Sequence, residues 1–300
     1  MSGPVTADQD PPVTADSIPP GFRKKAYLLG SIPWQSSVTD PRIPYAVYVP
    51  EGAYNDPART RRLPLLVYIH GTRRDTSAIH SSLKPFADAT GCAILAPLFP
   101  VGLEYTNDIS SYKYLYAKTY RSDLVLLSII DEVSNRWNHI ETKNFFLMGF
   151  SGGGQFAHRF LYLHPWRLSG VSIGAPGNVT MLDEGKAWPD GLGDVDFLFG
   201  KKVEVQAIQQ VPIQLVIGAE DNVLPGGPVA REHAPMFVEA LLNELRSMKT
   251  GRLDTIERLR QHWNDLSIHA DLQVVPGVGH SHKEVEETVL SFFRPLLDQS

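Results

Sequence analysis

The sequence predicts an α/β protein with a mostly parallel central sheet covered by helices on both faces. Apolar runs of strand length alternate along the chain with segments of helical spacing. The run Leu65–Ile69 is apolar throughout, as expected of a strand that is buried on both faces. No linker divides the chain after its first 20 residues, so we expect residues 21–300 to form a single domain.

The elements follow in order along the chain. In the first half, strands are predicted at 46–49, at Leu65–Ile69 and in CAILAPLFP. Helices are predicted at 81–89 and 121–137, the second with Leu124, Leu127, Ile130 and Val133 on one stripe. In the second half, the predicted strands are NFFLMGF, LSGVSIGAPG, PIQLVIGAEDN and DLQVVPGVGH, and the predicted helices are 152–165, two stretches within 231–266, and 283–297.

Three segments interrupt this alternation. Residues 1–20 are rich in proline, contain PVTAD twice, and are predicted to form a flexible arm. A tyrosine-rich loop (101–123) and an insertion (178–210) are long for a compact α/β domain, and their aromatic content argues against disorder. We expect both to form walls or lids over a site, with core packing as the alternative for the tyrosines. The candidate substrate contacts are Tyr105, Tyr112, Tyr114, Trp188 and Phe197.

Composition excludes several classes of function. The net charge of −5 shows no basic excess, so no nucleic-acid partner is expected. No apolar run is long enough to cross a bilayer, and the N-terminus lacks the basic start and apolar core of a secretory signal. The single cysteine, Cys92, lies in a predicted strand and is expected to be structural, so an intracellular (cytoplasmic) location is the default. No histidine spacing typical of metal ligands is present, no cofactor is expected, and monomer and homodimer both remain open.

One motif indicates chemistry. Gly149, Ser151 and Gly153 have the spacing G-x-S-x-G between a predicted strand and a predicted helix. A sharp turn there would raise the serine hydroxyl above the sheet, beside the N–H groups of a helix N-terminus. A structural turn that happens to carry a serine is the alternative, because the pentapeptide alone is a weak signal.

Two later strand ends favour the catalytic interpretation. A serine nucleophile needs a base, and the base needs an acid that orients it. The strand in IGAEDN ends at Glu220 and Asp221, and the strand in VVPGVGHSH ends at His280 and His282. Because parallel strands end at the same edge of a sheet, the acid and the base should lie on the same rim as Ser151. The sequence therefore predicts a Ser-acid-His triad.

The motifs YIHGT, GFSGGG, GAEDN and PGVGHS, in this order and at strand ends, resemble those of the α/β-hydrolase superfamily. The resemblance runs from about residue 45 to 297 and is strongest to esterases and depolymerases without a large cap domain. It implies Ser151 as nucleophile, Asp221 as acid and His280 as base. His282 remains an alternative base, and Glu220 or the more distant Asp183 an alternative acid.

The resemblance also implies an oxyanion hole made of backbone N–H groups. One should belong to Gly152 and the other to Thr72 or Arg73, in the HG-x element after the strand Leu65–Ile69. His70 is expected to brace this loop without taking part in chemistry. Arg73 and Arg74 are expected to be a solvated pair, with attraction of an anionic substrate group as the alternative.

These residues predict a serine hydrolase that cleaves an ester, thioester or lactone of a small molecule through an acyl-enzyme. A second hypothesis keeps the fold but replaces hydrolysis by acyl transfer, cyclisation or lyase chemistry. A third, a binding protein with an inert triad, is disfavoured because Ser151, Asp221 and His280 are all present.

Overall fold

An eight-stranded sheet forms the centre of the computed structural model, which describes residues 13–221 and 251–299. The strand order is β1-β2-β4-β3-β5-β6-β7-β8. Strand β2 runs antiparallel to both of its neighbours, and the pairs from β4 to β8 are all parallel. The strands are β1 (Gly30–Ser36), β2 (Pro44–Val49), β3 (Leu65–Ile69), β4 (Ala93–Pro97), β5 (Phe145–Phe150), β6 (Leu168–Gly174), β7 (Ile213–Gly218) and β8 (Asp271–Val275).

Helices lie between the strands and cover both faces of the sheet. Within the described residues they are α1 (Pro20–Arg23), α2 (Glu51–Asn55), α3 (Leu83–Thr90), α4 (Ser122–Arg136), α5 (Gly152–Leu163), α6 (Val195–Phe199), α7 (Val205–Ile208), α8 (Arg252–Asp265) and α9 (His282–Gln299). Short 3-10 turns occupy Ala15–Ser17, Ser77–His80, Ser111–Tyr114 and Pro165–Arg167. The predicted mostly parallel α/β architecture is confirmed.

Two hydrophobic cores lie on opposite faces of the sheet. Successive residues of a strand point to opposite faces, so Val67 of β3 packs into one core and Leu66 into the other. Helices α4, α5 and α8 cover the Val67 face, and α3 and α9 cover the Leu66 face. The carboxyl ends of β3, β5, β7 and β8 are thus held at one rim, which is where the sequence analysis expects the functional side chains.

The structure differs from the sequence prediction at three places. Strand β1 was not predicted, because it is an edge strand with mixed burial and contains Pro33. In α4, Ile130 and Val133 of the predicted stripe are buried, but Leu124 is 48% exposed, so the prediction was wrong at Leu124. The other buried apolar residues of α4 are Val125, Leu126 and Ile129. Ala15, within the predicted arm, is fully buried in the core, so packing begins before residue 20. The first predicted helix within 231–266 lies mostly outside the described residues.

Candidate active site

Ser151 lies between β5 and α5 in a backbone conformation that L-residues rarely adopt, with φ 57° and ψ −113°. Its N–H donates to the carbonyl of Gly174 at 2.8 Å, which ties the turn to β6. Its side chain does not cap α5 and forms no hydrogen bond with any residue that the structure describes. Strain of this kind persists only where the surroundings enforce it, and it is frequent at functional sites.

Glycines make this sharp turn possible. A Cβ on Gly149 would lie 2.3 Å from the carbonyl oxygen of Gly153, and a Cβ on Gly153 would lie 2.1 Å from that of Ile69. A non-bonded carbon and oxygen cannot lie this close together, so a side chain at either position would force the backbone to shift. This packing explains why glycine occupies both positions.

Two hydrogen-bonded loops bring Asp221 and His280 together. Beyond β7 and β8, the N–H of Ala219 donates to Val275 and that of Glu220 to Val278, at 2.8 and 2.9 Å. Asp221 Oδ2 then lies 2.6 Å from His280 Nδ1. The His280 ring is 4.9 Å from the ring of Phe150, the residue before Ser151. The acid and base candidates therefore form a pair on the rim that carries the serine.

The alternative residues occupy different surroundings. His282, at the start of α9, has its ring 6.4 Å from that of Phe150 and no carboxylate partner within the described part of the chain. Glu220 is exposed, whereas Asp221 is 3% exposed. Asp183 forms an ion pair with Lys186 on the insertion, at 2.9 Å. Of these groups, only Asp221 and His280 are paired with each other.

The environment of His280 favours its neutral form. Partial burial lowers its pKa below the ordinary value, and the cations of Arg252 and Arg73 act in the same direction, against the raising effect of Asp221. Its side chain keeps 33% exposure, so water reaches it. A neutral imidazole that donates Nδ1–H to Asp221 presents Nε2 as a proton acceptor.

The loop after β3 lies directly beside the serine. A Cβ on Gly71 would be 3.8 Å from the Cβ of Ser151, and a Cβ on Gly152 would be 2.9 Å from Thr72 Oγ1. The carbonyl of Gly71 accepts from the N–H of Arg74 and lies 2.8 Å from His70 Nδ1. In a trans peptide the N–H points opposite to the C=O, so the N–H of Thr72 points away from these contacts.

The orientation of the peptide group between Thr72 and Arg73 follows from the same geometry. The Thr72 carbonyl accepts from the Arg74 guanidinium at 2.6 Å, so the Arg73 N–H points away from that guanidinium. Neither the Thr72 N–H nor the Arg73 N–H donates to an acceptor among the residues the structure describes. The Gly152 N–H is in the first turn of α5 and has no intrahelical partner. These are the three donors predicted for an oxyanion hole.

His70 and Arg74 hold this loop in place. The buried His70 ring accepts from the Phe99 N–H at 2.9 Å, and burial lowers its pKa to about 3, so it stays neutral. Arg74 has φ 58° and donates to the carbonyls of Phe99, Thr72 and Ile109. The prediction that His70 braces the loop is consistent with these contacts, whereas the prediction of a solvated Arg74 was wrong.

Solved structures with the same topology are numerous. Poly(aspartic acid) hydrolase-1 from Sphingomonas sp. KT-1 has a TM-score of 0.62 and 18% identity over 83% of this chain and 92% of its own. The poly(3-hydroxybutyrate) depolymerase LpqC from Bordetella parapertussis has a TM-score of 0.61 and 19% identity over 93% and 94%. The chain has the α/β-hydrolase fold. An S-formylglutathione hydrolase from Agrobacterium tumefaciens shares this fold with a TM-score of 0.55 and 14% identity over 88% and 93%.

Comparison by sequence gives a different result. No protein-family model matches the chain, and no curated protein matches it. The α/β-hydrolase fold is therefore identified by three-dimensional similarity alone. Because a fold does not determine a function, the chemistry depends on the residues of the site.

The predicted substrate contacts divide into three groups. The buried Tyr112 lies at the centre of the site: its hydroxyl donates to the His70 carbonyl at 3.1 Å and would be 2.5 Å from a Cβ on Gly152. Tyr114 and Trp188 are joined, since Trp188 Nε1 donates to the Tyr114 carbonyl at 2.7 Å. Tyr105 and Phe197 are 61% and 90% exposed, and neither has a ring contact or side-chain hydrogen bond within the described residues.

Two residues near the site were not singled out from the sequence. Arg252, the first residue of α8, donates Nη1 to Asp221 Oδ1 at 3.1 Å and is 8% exposed. Lys113 is fully buried, and its Cε would be 3.0 Å from a Cβ on Gly152. Neither belongs to a motif, and both reach the site only through the fold. Local sequence motifs therefore do not predict these buried charged residues.

The described residues lack two kinds of feature. They contain no group of three or more His, Cys, Asp or Glu side chains arranged to hold a metal ion. The same residues include no helix with the length and apolar character needed to cross a membrane.

Proposed function

We propose that this protein is a serine hydrolase that cleaves a carboxylic ester, thioester or lactone of a small molecule. The observation that carries the proposal is the hydrogen-bonded Asp221–His280 pair at the rim where Ser151 is held in a strained turn. A carboxylate-oriented imidazole beside a projecting serine is the arrangement that activates a hydroxyl for attack on a carbonyl. The similar structures named above, a depolymerase and two hydrolases, support the same reaction class.

The first half of the reaction forms the acyl-enzyme. His280 Nε2 takes the proton of the Ser151 hydroxyl as the oxygen attacks the substrate carbonyl, and Asp221 stabilises the resulting imidazolium. The carbonyl oxygen becomes negatively charged and accepts hydrogen bonds from the Gly152 N–H and from the Thr72 or Arg73 N–H. The tetrahedral intermediate then collapses, and His280 passes the proton to the departing alcohol or thiol.

The second half releases the acid. Water enters in place of the alcohol, His280 takes one of its protons, and the hydroxide attacks the acyl carbonyl. Collapse of the second intermediate returns the proton to Ser151 and regenerates the enzyme. The hydrogen bond between Ser151 and His280 is expected to form with substrate bound, since catalytic hydrogen bonds often tighten only in the complex.

Inhibitor labelling and ester hydrolysis test the proposal together. Ser151→Ala should abolish labelling by a fluorophosphonate probe and reduce p-nitrophenyl acetate hydrolysis by a factor on the order of 10³ or more. Ser31→Ala, on the edge strand β1, is the matched control and should retain both. Labelling that persists in Ser151→Ala would identify another nucleophile and refute the assignment.

The histidine is tested in the same assay. His280→Ala should lose activity by a comparable factor, because the serine then has no base, and His282→Ala should not. The reverse result would transfer the role of base to His282. Product analysis in the presence of an added alcohol separates hydrolysis from acyl transfer, because a transferase would form the new ester in preference to the free acid.

A further inference from the structure

Arg73 and Arg74 are neighbours in the chain but have opposite surroundings. The Arg74 guanidinium donates to three backbone carbonyls and therefore serves the loop itself. Arg73 is exposed, and its side chain forms no ion pair or hydrogen bond with any residue in 13–221 or 251–299. The charge of Arg73 is thus available to a ligand as far as the described structure extends.

Arg73 stands next to the reacting groups. It follows Gly71 and Thr72, which lie beside Ser151 and Gly152 as described above. The Arg73 guanidinium also contributes to lowering the pKa of the proposed base, His280.

Two further cationic side chains lie close to residues of the site. The buried Lys113 lies behind Gly152, and the buried Arg252 lies behind Asp221. Asp221 is shared between His280 and Arg252, and Asp75 accepts a hydrogen bond from the Ser77 N–H. The chain as a whole carries −5, so the three cationic side chains near these residues contrast with the net charge. Local fields of this kind favour ligands of opposite charge.

We propose that Arg73 determines specificity at this site and that the substrate is an ester carrying a carboxylate or similar anionic group close to its scissile carbonyl. The inference rests on the proposed hydrolase function and adds the class of substrate. An arginine offers a planar pair of donors that matches a carboxylate, and a charge-assisted hydrogen bond is stronger than a neutral one. The anionic group can belong to the acyl part or to the alcohol part, and the substrates below distinguish the two.

Matched pairs of esters test the proposal. The acyl-side pair is p-nitrophenyl hydrogen adipate and its neutral methyl ester. The alcohol-side pair is 4-acetoxybenzoate and its methyl ester. In each pair the measured quantity is the ratio of kcat/KM for the anionic ester to that for the neutral ester. Taking the ratio cancels any change in the catalytic machinery itself, which matters because the Arg73 backbone is a candidate oxyanion donor.

The wild-type ratio should exceed one in at least one pair, and Arg73→Gln should lower that ratio about tenfold, as expected for one charge-assisted contact that is partly exposed. Arg73→Lys should retain part of the preference. Arg260→Gln, an exposed arginine on α8, removes the same charge elsewhere and should leave the ratio unchanged. Raising the salt concentration should weaken the preference.

The outcomes separate the two proposals. Activity that depends on Ser151, with a wild-type ratio at or below one in both pairs, would overturn the role of Arg73 and leave the hydrolase intact. An Arg73→Gln ratio equal to that of the wild type would do the same. Failure of every ester, together with failure of fluorophosphonate labelling, would overturn the hydrolase and with it the substrate class.

Discussion

Replacing Arg252 by methionine should move the acidic limb of the kcat/KM profile to higher pH. Arg252 donates to one oxygen of Asp221, and His280 is hydrogen-bonded to the other. Without the nearby cation the imidazolium is favoured, so the pKa of His280 rises from its lowered value. The base must be neutral to take the Ser151 proton, and a higher pH is then needed to reach full activity.

The size of this movement follows from the geometry. Arg252 Nη1 is 3.1 Å from Asp221 Oδ1, and His280 Nδ1 is 2.6 Å from Asp221 Oδ2. The guanidinium and the protonated ring are therefore about 6 Å apart, where two unit charges repel by about 3 kcal/mol at an effective dielectric constant of about 20. The His280 side chain is 33% exposed. Screening by solvent leaves about half of this repulsion, which corresponds to a movement of about one pH unit.

The assay is the pH dependence of kcat/KM for p-nitrophenyl acetate between about pH 4.5 and 9. Arg252→Lys keeps the charge and should stay close to the wild type, and Arg260→Met on the exposed face of α8 is the control for the substitution itself. Loss of one partner of a buried ion pair typically costs about 3–5 kcal/mol of stability, so thermal unfolding of each variant is measured beside its activity.

An acidic limb of Arg252→Met that coincides with that of the wild type, in folded protein, would refute this reasoning. A limb that moves to lower pH would refute it more strongly, because it would reverse the sign of the interaction. A uniform loss of activity without movement would leave Arg252 with a structural role alone.

Two further predictions concern the fold around the site. Gly153→Ala should prevent formation of the native turn, because its Cβ would lie 2.1 Å from the Ile69 carbonyl oxygen. Gly52→Ala on α2 is the control and should fold, because a Cβ there meets open space. Circular dichroism and thermal melts distinguish the two variants, and a native melt for Gly153→Ala would contradict the packing. Stability should fall as the pH drops below 6.5, because burial lowers the pKa of His70 to about 3 and that of His158 well below 6.5, so both stay neutral in the native state and gain protons only on unfolding. Two such protons give a slope of up to about 2.7 kcal/mol per pH unit, to be measured by urea unfolding between pH 5 and 6.5; a flat profile would argue against the two buried neutral rings.

The sequence alone predicted the architecture because strand runs such as Leu65–Ile69 are apolar enough to leave little choice. The turn at Ser151 was also predictable, because the two glycines that its packing requires, Gly149 and Gly153, lie within two residues of the serine in the sequence. Strand β1 was missed because an edge strand is only half-buried and carries a weaker pattern. The α4 stripe was wrong at Leu124 because several apolar residues there fit a helical period equally well.

The supporting residues of the site could not be predicted in this way. Arg252 meets Asp221 across 31 positions of sequence, and its role depends on where α8 begins relative to the end of β7. Arg74 and Arg73 have the same side chain, and only the turn with φ 58° at Arg74 directs one inward and leaves the other exposed. Contacts of this kind are set by tertiary structure, so no local pattern distinguishes a bracing arginine from one that faces a ligand.

The tyrosine-rich loop has a different relation to the site from the one its composition suggested. Tyr112 does not lie over the entrance; it is buried, its ring stacks on Phe99 at 5.4 Å, and its hydroxyl donates to the His70 carbonyl. The same loop offers the Ile109 carbonyl to Arg74, which in turn holds the Thr72 carbonyl. The loop therefore supports the backbone whose N–H groups are proposed to bind the oxyanion. Because those groups act on charge that develops in the transition state, changes in this loop should affect the rate of reaction as well as the choice of substrate.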